Sequence, residues 1–417
     1  MLIRNGWQQF GGLLKSRKDC RENAKVRRER ERKIFASVYR DLNFPTQFKY
    51  FSIFLIILYL GVACGGNSAE TTPQILFMRQ TSADVYQLFL TNTVGDEVVQ
   101  VSSAEFGIQD YAVAPDGHAI ALAWKATEPS SDIWLIEKKR GKLGEPRQLL
   151  ACPVFSCQSP VWATDNRRII YLQHPTPQEP SRLWWVDSKT GETVPVFDDP
   201  KIRGNGAQLS PDDQYLSFIL IPYPNANPNL PIGPATDENG ESQLEQGLVV
   251  YNFATGKRLV IPNQMNSESR WRPNSAEPQL IFSDLQFFGE RFGIHLFQTT
   301  VNDNNVIDIT DGRLLEDATP NWSPDGSQIA FTRKSANTAM GRQLWLMDTD
   351  GSNTRALTEN VDWHHGEPRW SADASTLLFQ RFDNTQTTPK PAIWIINLEN
   401  STEQLIAENG VRPQWLP

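Results

Sequence analysis

The chain is poor in the residues that most often build a reactive centre. It has 4 Cys and 5 His among 417 residues. Two of the cysteines, Cys20 and Cys64, lie near the N-terminus, and the other two cannot by themselves complete a tetrahedral metal site. No Gly-x-Ser-x-Gly turn is present, so an appended hydrolase built on a nucleophile elbow is not supported. A phosphate loop, Gly-x-Gly-x-x-Gly, His-Glu-x-x-His and a calcium-binding EF-hand loop are also missing. Long apolar runs are missing too. The candidate is Tyr50 to Ala63, 14 residues, where a membrane-spanning helix needs roughly 20.

Positive charge is scarce outside one segment. Residues 1–63 carry 13 Lys and Arg against 5 Asp and Glu, a net of +8; the whole chain is −8, which leaves −16 for the rest. A body that acidic argues against nucleic acid, whose phosphates are bound through Lys and Arg. It fits cationic ligands, divalent metals or plain solubility.

The basic segment (1–49), the apolar run and Cys64 follow one another in the order of an export signal. Basic region, apolar run, small residues and Cys resemble a bacterial lipoprotein signal over residues 50–64. The resemblance implies that Cys64 is lipidated and heads the mature chain, with 65–73 as a short tether. The alternative is an uncleaved anchor with its basic end on the cytoplasmic side. Either way the body is expected to be exported and membrane-anchored, as a monomer. Cys152 and Cys157 are then candidates for a disulfide across one loop, as in other exported chains; two free thiols are the alternative.

What the chain has in plenty is an internal repeat. Trp322-Ser323-Pro324-Asp325-Gly326 is followed by the apolar run Ile329-Ala330-Phe331. Related stretches begin at Val113, Trp162, Leu209, Trp271, Trp370 and, cut short, Trp415. These anchors are spaced by 49, 47, 62, 51, 48 and 45 residues. Each interval reads as four strands with a Pro-Asp-Gly turn after the first, since Pro presets φ, Asp bonds its own backbone and Gly accepts positive φ. A period just under 50 is that of four-stranded β-propeller blades. The chain ends in a lone first strand (413–415), and the repeat region opens with strands two to four. The two fragments complement each other. The expectation is an all-β, seven-bladed propeller over 74–417, closed by the C-terminal strand.

The Pro-Asp-Gly repeat resembles the TolB-type, WD40-like propeller family over residues 74–417. The resemblance implies an extracytoplasmic binding protein; in that family the same blades also occur beside peptidase or lyase sites.

Connections between second and third strands are expected to be long, at 125–132, 173–182, 222–247, 284–293, 334–342 and 381–391, which elaborates one face. The longest, Pro222 to Gly247, holds five prolines and an acidic stretch. Three residues before each anchor stand Asp110, Ser159, Gly206, Glu268, Thr319, Glu367 and Arg412, expected around the channel mouth. With Asp317, His364 and His365 nearby, they are read as an acidic, partly histidine-bearing ring. Such a ring would take a cation, sugar or basic peptide; the plainer alternative is a solvated polar channel. The anchor Trp residues and the turn Asp residues recur once per repeat, so they are read as packing and turn residues. The expected function is non-catalytic binding of a protein or small ligand, with no cofactor. The alternative is a metal-assisted polysaccharide lyase or hydrolase working at the channel mouth.

Overall fold

The computed structural model describes residues 74–127, 129–221, 247–302 and 305–417. The basic segment, the apolar run, Cys64 and all but the last residue of the 222–247 loop lie outside the described residues. Among the described residues every regular element is a β-strand, and no helix there is long and apolar enough to cross a membrane.

One unit explains the others. Strand Leu315–Trp322 leads through the Pro324-Asp325-Gly326 turn into Gln328–Ser335, then Gln343–Asp348 and the short Arg355–Ala356. Each strand pairs antiparallel with the next. The turn is chemically over-determined. Gly326 donates its N–H to the Ser323 carbonyl at 2.8 Å. Asp325 Oδ1 accepts from the Ser323 hydroxyl at 2.6 Å and from the Ser327 N–H at 3.0 Å. Gly326 has φ of +72°, and a Cβ there would stand 2.5 Å from the Pro273 carbonyl of the preceding repeat. Glycine thus serves both the turn and a close approach between repeats. The first half of the second strand is apolar because both of its faces are covered: Ile329, Ala330 and Phe331 have no exposed surface.

The described strands form six hydrogen-bonded sheets, where seven were expected. Four have four strands, one has five, and one has eight. The eight-stranded sheet consists of two antiparallel sets, Arg270 to Asp308 and Leu315 to Ala356, joined by one parallel pair, Ile294 with Glu316. That link forms because 284–293 is no loop: strands Gln279–Phe288 and Arg291–Thr300 run on to a tight turn and reach the next set. The fold is therefore an all-β propeller.

The ends close it. Strand Gly410–Leu416 pairs antiparallel with Gln74–Ser82, Leu416 facing Gln74 and Val411 facing Met78. The C-terminal strand thereby becomes the inner strand of the N-terminal sheet, and no raw edge is left there.

The anchor tryptophans join neighbouring units. Each indole N–H crosses to a carbonyl on the inner strand of the preceding unit: Trp162 to Ala112, Trp271 to Gln208, Trp322 to Arg270 and Trp370 to Asn321, all at 3.1 Å, and Trp415 to Arg369 at 3.2 Å. Around them pack apolar clusters that span adjacent units, such as Ile281, Leu296, Trp322, Ile329, Phe331 and Met347.

Trp322 has 4% of its surface exposed. Trp322→Ala is expected to cost about 3–5 kcal/mol. Trp322→Phe retains much of the packing and should lose about 1 kcal/mol for the missing hydrogen bond. Urea unfolding checks this, and equal losses for the two variants would show that the crossing bond contributes nothing.

Candidate functional site

The inner strands surround a cavity of about 950 Å³. Two residues of each repeat line it. Three before the anchor come Asp110, Ser159, Gly206, Glu268, Thr319, Glu367 and Arg412, and one before it come Ala112, Val161, Gln208, Arg270, Asn321, Arg369 and Gln414. Both sets border the same opening, which gives the lining two tiers.

A bulge aims the outer tier. In five units two inner-strand residues oppose a single residue of the second strand, at 159–160, 206–207, 319–320, 367–368 and 412–413. The opposed residues are Tyr171, Phe218, Phe331, Phe379 and Phe77, among the largest fully buried side chains. Ser159, Gly206, Thr319, Glu367 and Arg412 all have positive φ, from +50° to +62°. Such a bulge bends the strand and re-aims a side chain. In four of the five units the next residue is Pro (Pro160, Pro320, Pro368, Pro413), whose missing N–H costs nothing at an unpaired position.

The ring is not acidic. Asp110, Glu268 and Glu367 share it with Arg270, Arg369 and Arg412. Arg412 Nη1 meets Asp110 Oδ1 at 2.9 Å, and Arg270 Nη1 meets Glu268 Oε2 at 3.1 Å. Burial lifts the Asp110 carboxyl above the usual carboxylate range, against the pull of Arg412. Tyr111 is buried beside it, and its hydroxyl donates within reach of the Leu76 and Arg412 carbonyls, at 3.0 and 2.6 Å. That contact fastens the first complete unit to the closing one. Neither Glu367 nor Arg369 forms an ion pair or side-chain hydrogen bond among the described residues.

The histidines do not join this ring. Trp363-His364-His365-Gly366-Glu367 opens strand Trp363–Trp370. Successive strand residues face opposite ways, so the two imidazoles diverge. His364 stacks on Phe382 with centroids 4.7 Å apart. His365 is buried, with Nδ1 2.9 Å from the Arg342 carbonyl. Burial holds its pKa down at about 4, so the ring is neutral. Among the described residues no three His, Cys, Asp or Glu side chains are grouped to hold a metal ion. Asp317 is also displaced from the channel: it is fully buried, and the Arg333 guanidinium forks onto both its oxygens at 2.7 and 2.8 Å. Cys152 and Cys157 are joined in a disulfide, Cα atoms 5.6 Å apart.

Two features were not anticipated. Arg270 and Arg369 stand two residues after outer-tier positions, and the bulge before Arg369 breaks the simple alternation that would have pointed to it. The buried group around His295 had no local signal. His295 Nδ1 lies 2.7 Å from Asp308 Oδ2 and Nε2 3.2 Å from the Arg313 carbonyl, so both ring nitrogens face acceptors. Its partners come from other strands and turns. Burial would lower the His295 pKa, but the hydrogen bond and charge of Asp308 outweigh it, and the net shift is upward.

No family model matches the chain. The uncharacterized peptidase YuxL of Bacillus subtilis (strain 168) is 37% identical over 59 residues, 14% of this chain and 8% of that protein. The chain thus spans a small part of that relative's length. The oligogalacturonate lyase of Vibrio parahaemolyticus is 15% identical, covering 81% of this chain and 85% of its own, with a TM-score of 0.54. TolB from Acinetobacter baumannii is 16% identical over 84% of each chain, with a TM-score of 0.46. At such identities the likeness to the lyase is one of fold, and the shared fold is the β-propeller.

A raised histidine pKa stabilises the folded chain below the unfolded value of 6.5, and the effect fades as pH rises through the folded value. The stability gap between the native chain and His295→Gln should therefore be wide at about pH 5.5 and narrower at about pH 9. Denaturant unfolding at both pH values checks this, and a gap that widens with pH contradicts a charged His295.

Proposed function

We propose that the chain is a non-catalytic binding propeller, anchored at the extracytoplasmic side of a membrane, that takes its ligand at the channel mouth. One observation carries the binding reading: two tiers of side chains from all seven repeats converge on one cavity of about 950 Å³, three carboxylates and three guanidiniums among them. Sites on rigid scaffolds commonly combine a concave wall with a few convergent polar groups. The ligand is a protein segment or a small molecule that offers charges of both signs.

We count seven blades. Seven anchors, seven residues in each tier and the two antiparallel sets within the eight-stranded sheet support that number. Seven apolar clusters, one between each pair of neighbouring sets, support it as well. The anchor rests on the signal-like order of residues 50–64 and on Cys64. The Cys152–Cys157 disulfide agrees with an oxidising compartment. The lyase alternative called for a metal held near His364, His365 and Glu367, and the two imidazoles diverge, with no metal-holding group of three such side chains among the described residues.

The test is thermal unfolding of the full chain with a panel of peptides, oligosaccharides and divalent metals, run beside Val161→Trp, which narrows the channel. A ligand at 100 times its Kd should stabilise the native chain by about 2.7 kcal/mol. Val161→Trp should abolish that gain. A stabilising compound unaffected by Val161→Trp would place binding elsewhere. No stabilisation, together with no crosslinked partner captured from outer-tier positions, would remove the reading.

A further inference from the structure

The three arginines of the channel are not equivalent. Arg412 and Arg270 each have a carboxylate within 3.1 Å. Arg369 has Glu367 two residues away in the same strand, the spacing that Arg270 has to Glu268, yet no carboxylate lies within ion-pairing distance of it among the described residues. Its Nε is buried and has no hydrogen-bond partner. Its neighbours offer no substitute. Tyr111 spends its hydroxyl on backbone carbonyls, and Asn321 donates to the Pro368 carbonyl at 3.0 Å. The Arg369 carbonyl is itself taken by the Trp415 indole. Arg369 is half-buried, and Glu367 and Glu268 act on it only through longer-range charge, so a guanidinium partly withdrawn from water lacks a contacting counter-ion that an anion entering the cavity can supply. The side chain lies in the inner tier, facing the cavity rather than the outer surface.

We propose that Arg369 is the anion-binding point of the channel and that it takes a carboxylate group of the ligand. This rests on the reading of the channel as the binding site and adds the ligand's chemistry to it. A guanidinium presents a planar edge of two N–H groups that matches a planar carboxylate. Glu367, one tier outward and likewise unpaired, sets the polarity: the ligand enters with its carboxylate inward and any cationic group outward. A dianion without a cationic group therefore gains from Arg369 and is opposed by Glu367.

The experiment is isothermal titration of the full chain with glutarate, with its neutral diamide and with inorganic phosphate. Glutarate should bind and the diamide should not. Arg369→Gln should weaken glutarate by about tenfold or more, the range of a hydrogen bond to a charged group. Arg369→Lys keeps the charge, loses the planar edge, and should fall between the two. Glu367→Gln should tighten glutarate. Near-ultraviolet circular dichroism and the unfolding midpoint confirm that each variant is folded, and Arg369→Lys serves alone if Arg369→Gln is not. Phosphate binding equal to glutarate would overturn the preference for a carboxylate. Glutarate bound with equal strength by native chain and folded Arg369 variants would overturn the role of Arg369. Failure of all three probes while a compound from the wider panel still stabilises the native chain, and Val161→Trp removes that gain, would sink this proposal and leave the channel reading standing.

Discussion

The crossing bond from each anchor indole to the inner strand of the preceding repeat is what makes separate sheets into one body. A single four-stranded unit cannot bury its apolar faces by itself. Its two faces are apolar, and each must be covered by a neighbour. Tryptophan suits that seam because it buries a large ring and still has an N–H to place. Its acceptor is a carbonyl next to the channel, so the same contact sets how far apart the inner strands stand. The first complete repeat has Val113 as its anchor, and there Tyr111 takes over, donating to Leu76 and Arg412 in the closing unit. The seam between the chain's two ends is thus fastened by a hydroxyl as well as by strand pairing.

The channel follows from that spacing. A regular inner strand would hold its side chains to the neighbouring sheets, but in five repeats the bulge turns one residue into the opening. It forms over a fully buried aromatic, which fills the space the bent strand leaves. The conformation is costly for Thr, Glu and Arg, whose Cβ atoms crowd the following carbonyl at positive φ. Because it recurs in unit after unit, it belongs to the architecture rather than to one reactive residue. What differs between units is the chemistry presented. Four sites are neutral or small in the outer tier or carry a matched pair; the Glu367–Arg369 edge is the one with charges left to satisfy.

Away from the channel, buried charge ties neighbouring strands of one sheet together. Asp317 and Arg333 pair in full, and His295 bridges to Asp308 beside the one parallel strand contact. That contact merges two repeats into an eight-stranded sheet. It arises where the Gln279–Phe288 and Arg291–Thr300 hairpin outgrows its neighbours, and the polar groups around it have partners where a bare edge would leave them open.

By itself the sequence determined the repeat, the strand order within each unit and the turn chemistry, because these rest on local rules, and it pointed to the closure because the partial repeats at 74–101 and 413–415 complement each other. Pro-Asp-Gly can hardly be anything but a turn, and an apolar run of four after it must be a covered strand. It also placed the outer tier, since a fixed offset from the anchor is preserved whatever the loops do. The tertiary structure alone decided the rest. Arg270 and Arg369 turn an expected acidic ring into a balanced one, and only the packing of seven inner strands brings them beside Asp110, Glu268 and Glu367. His364 and His365 looked like a pair because adjacency in sequence suggests proximity of function, yet a strand sends neighbours to opposite faces. Asp317 looked like a channel residue until Arg333, from the adjacent strand, claimed it. The partner of Asp317 stands 16 residues away on another strand, and a reading of neighbours along the chain does not reach it.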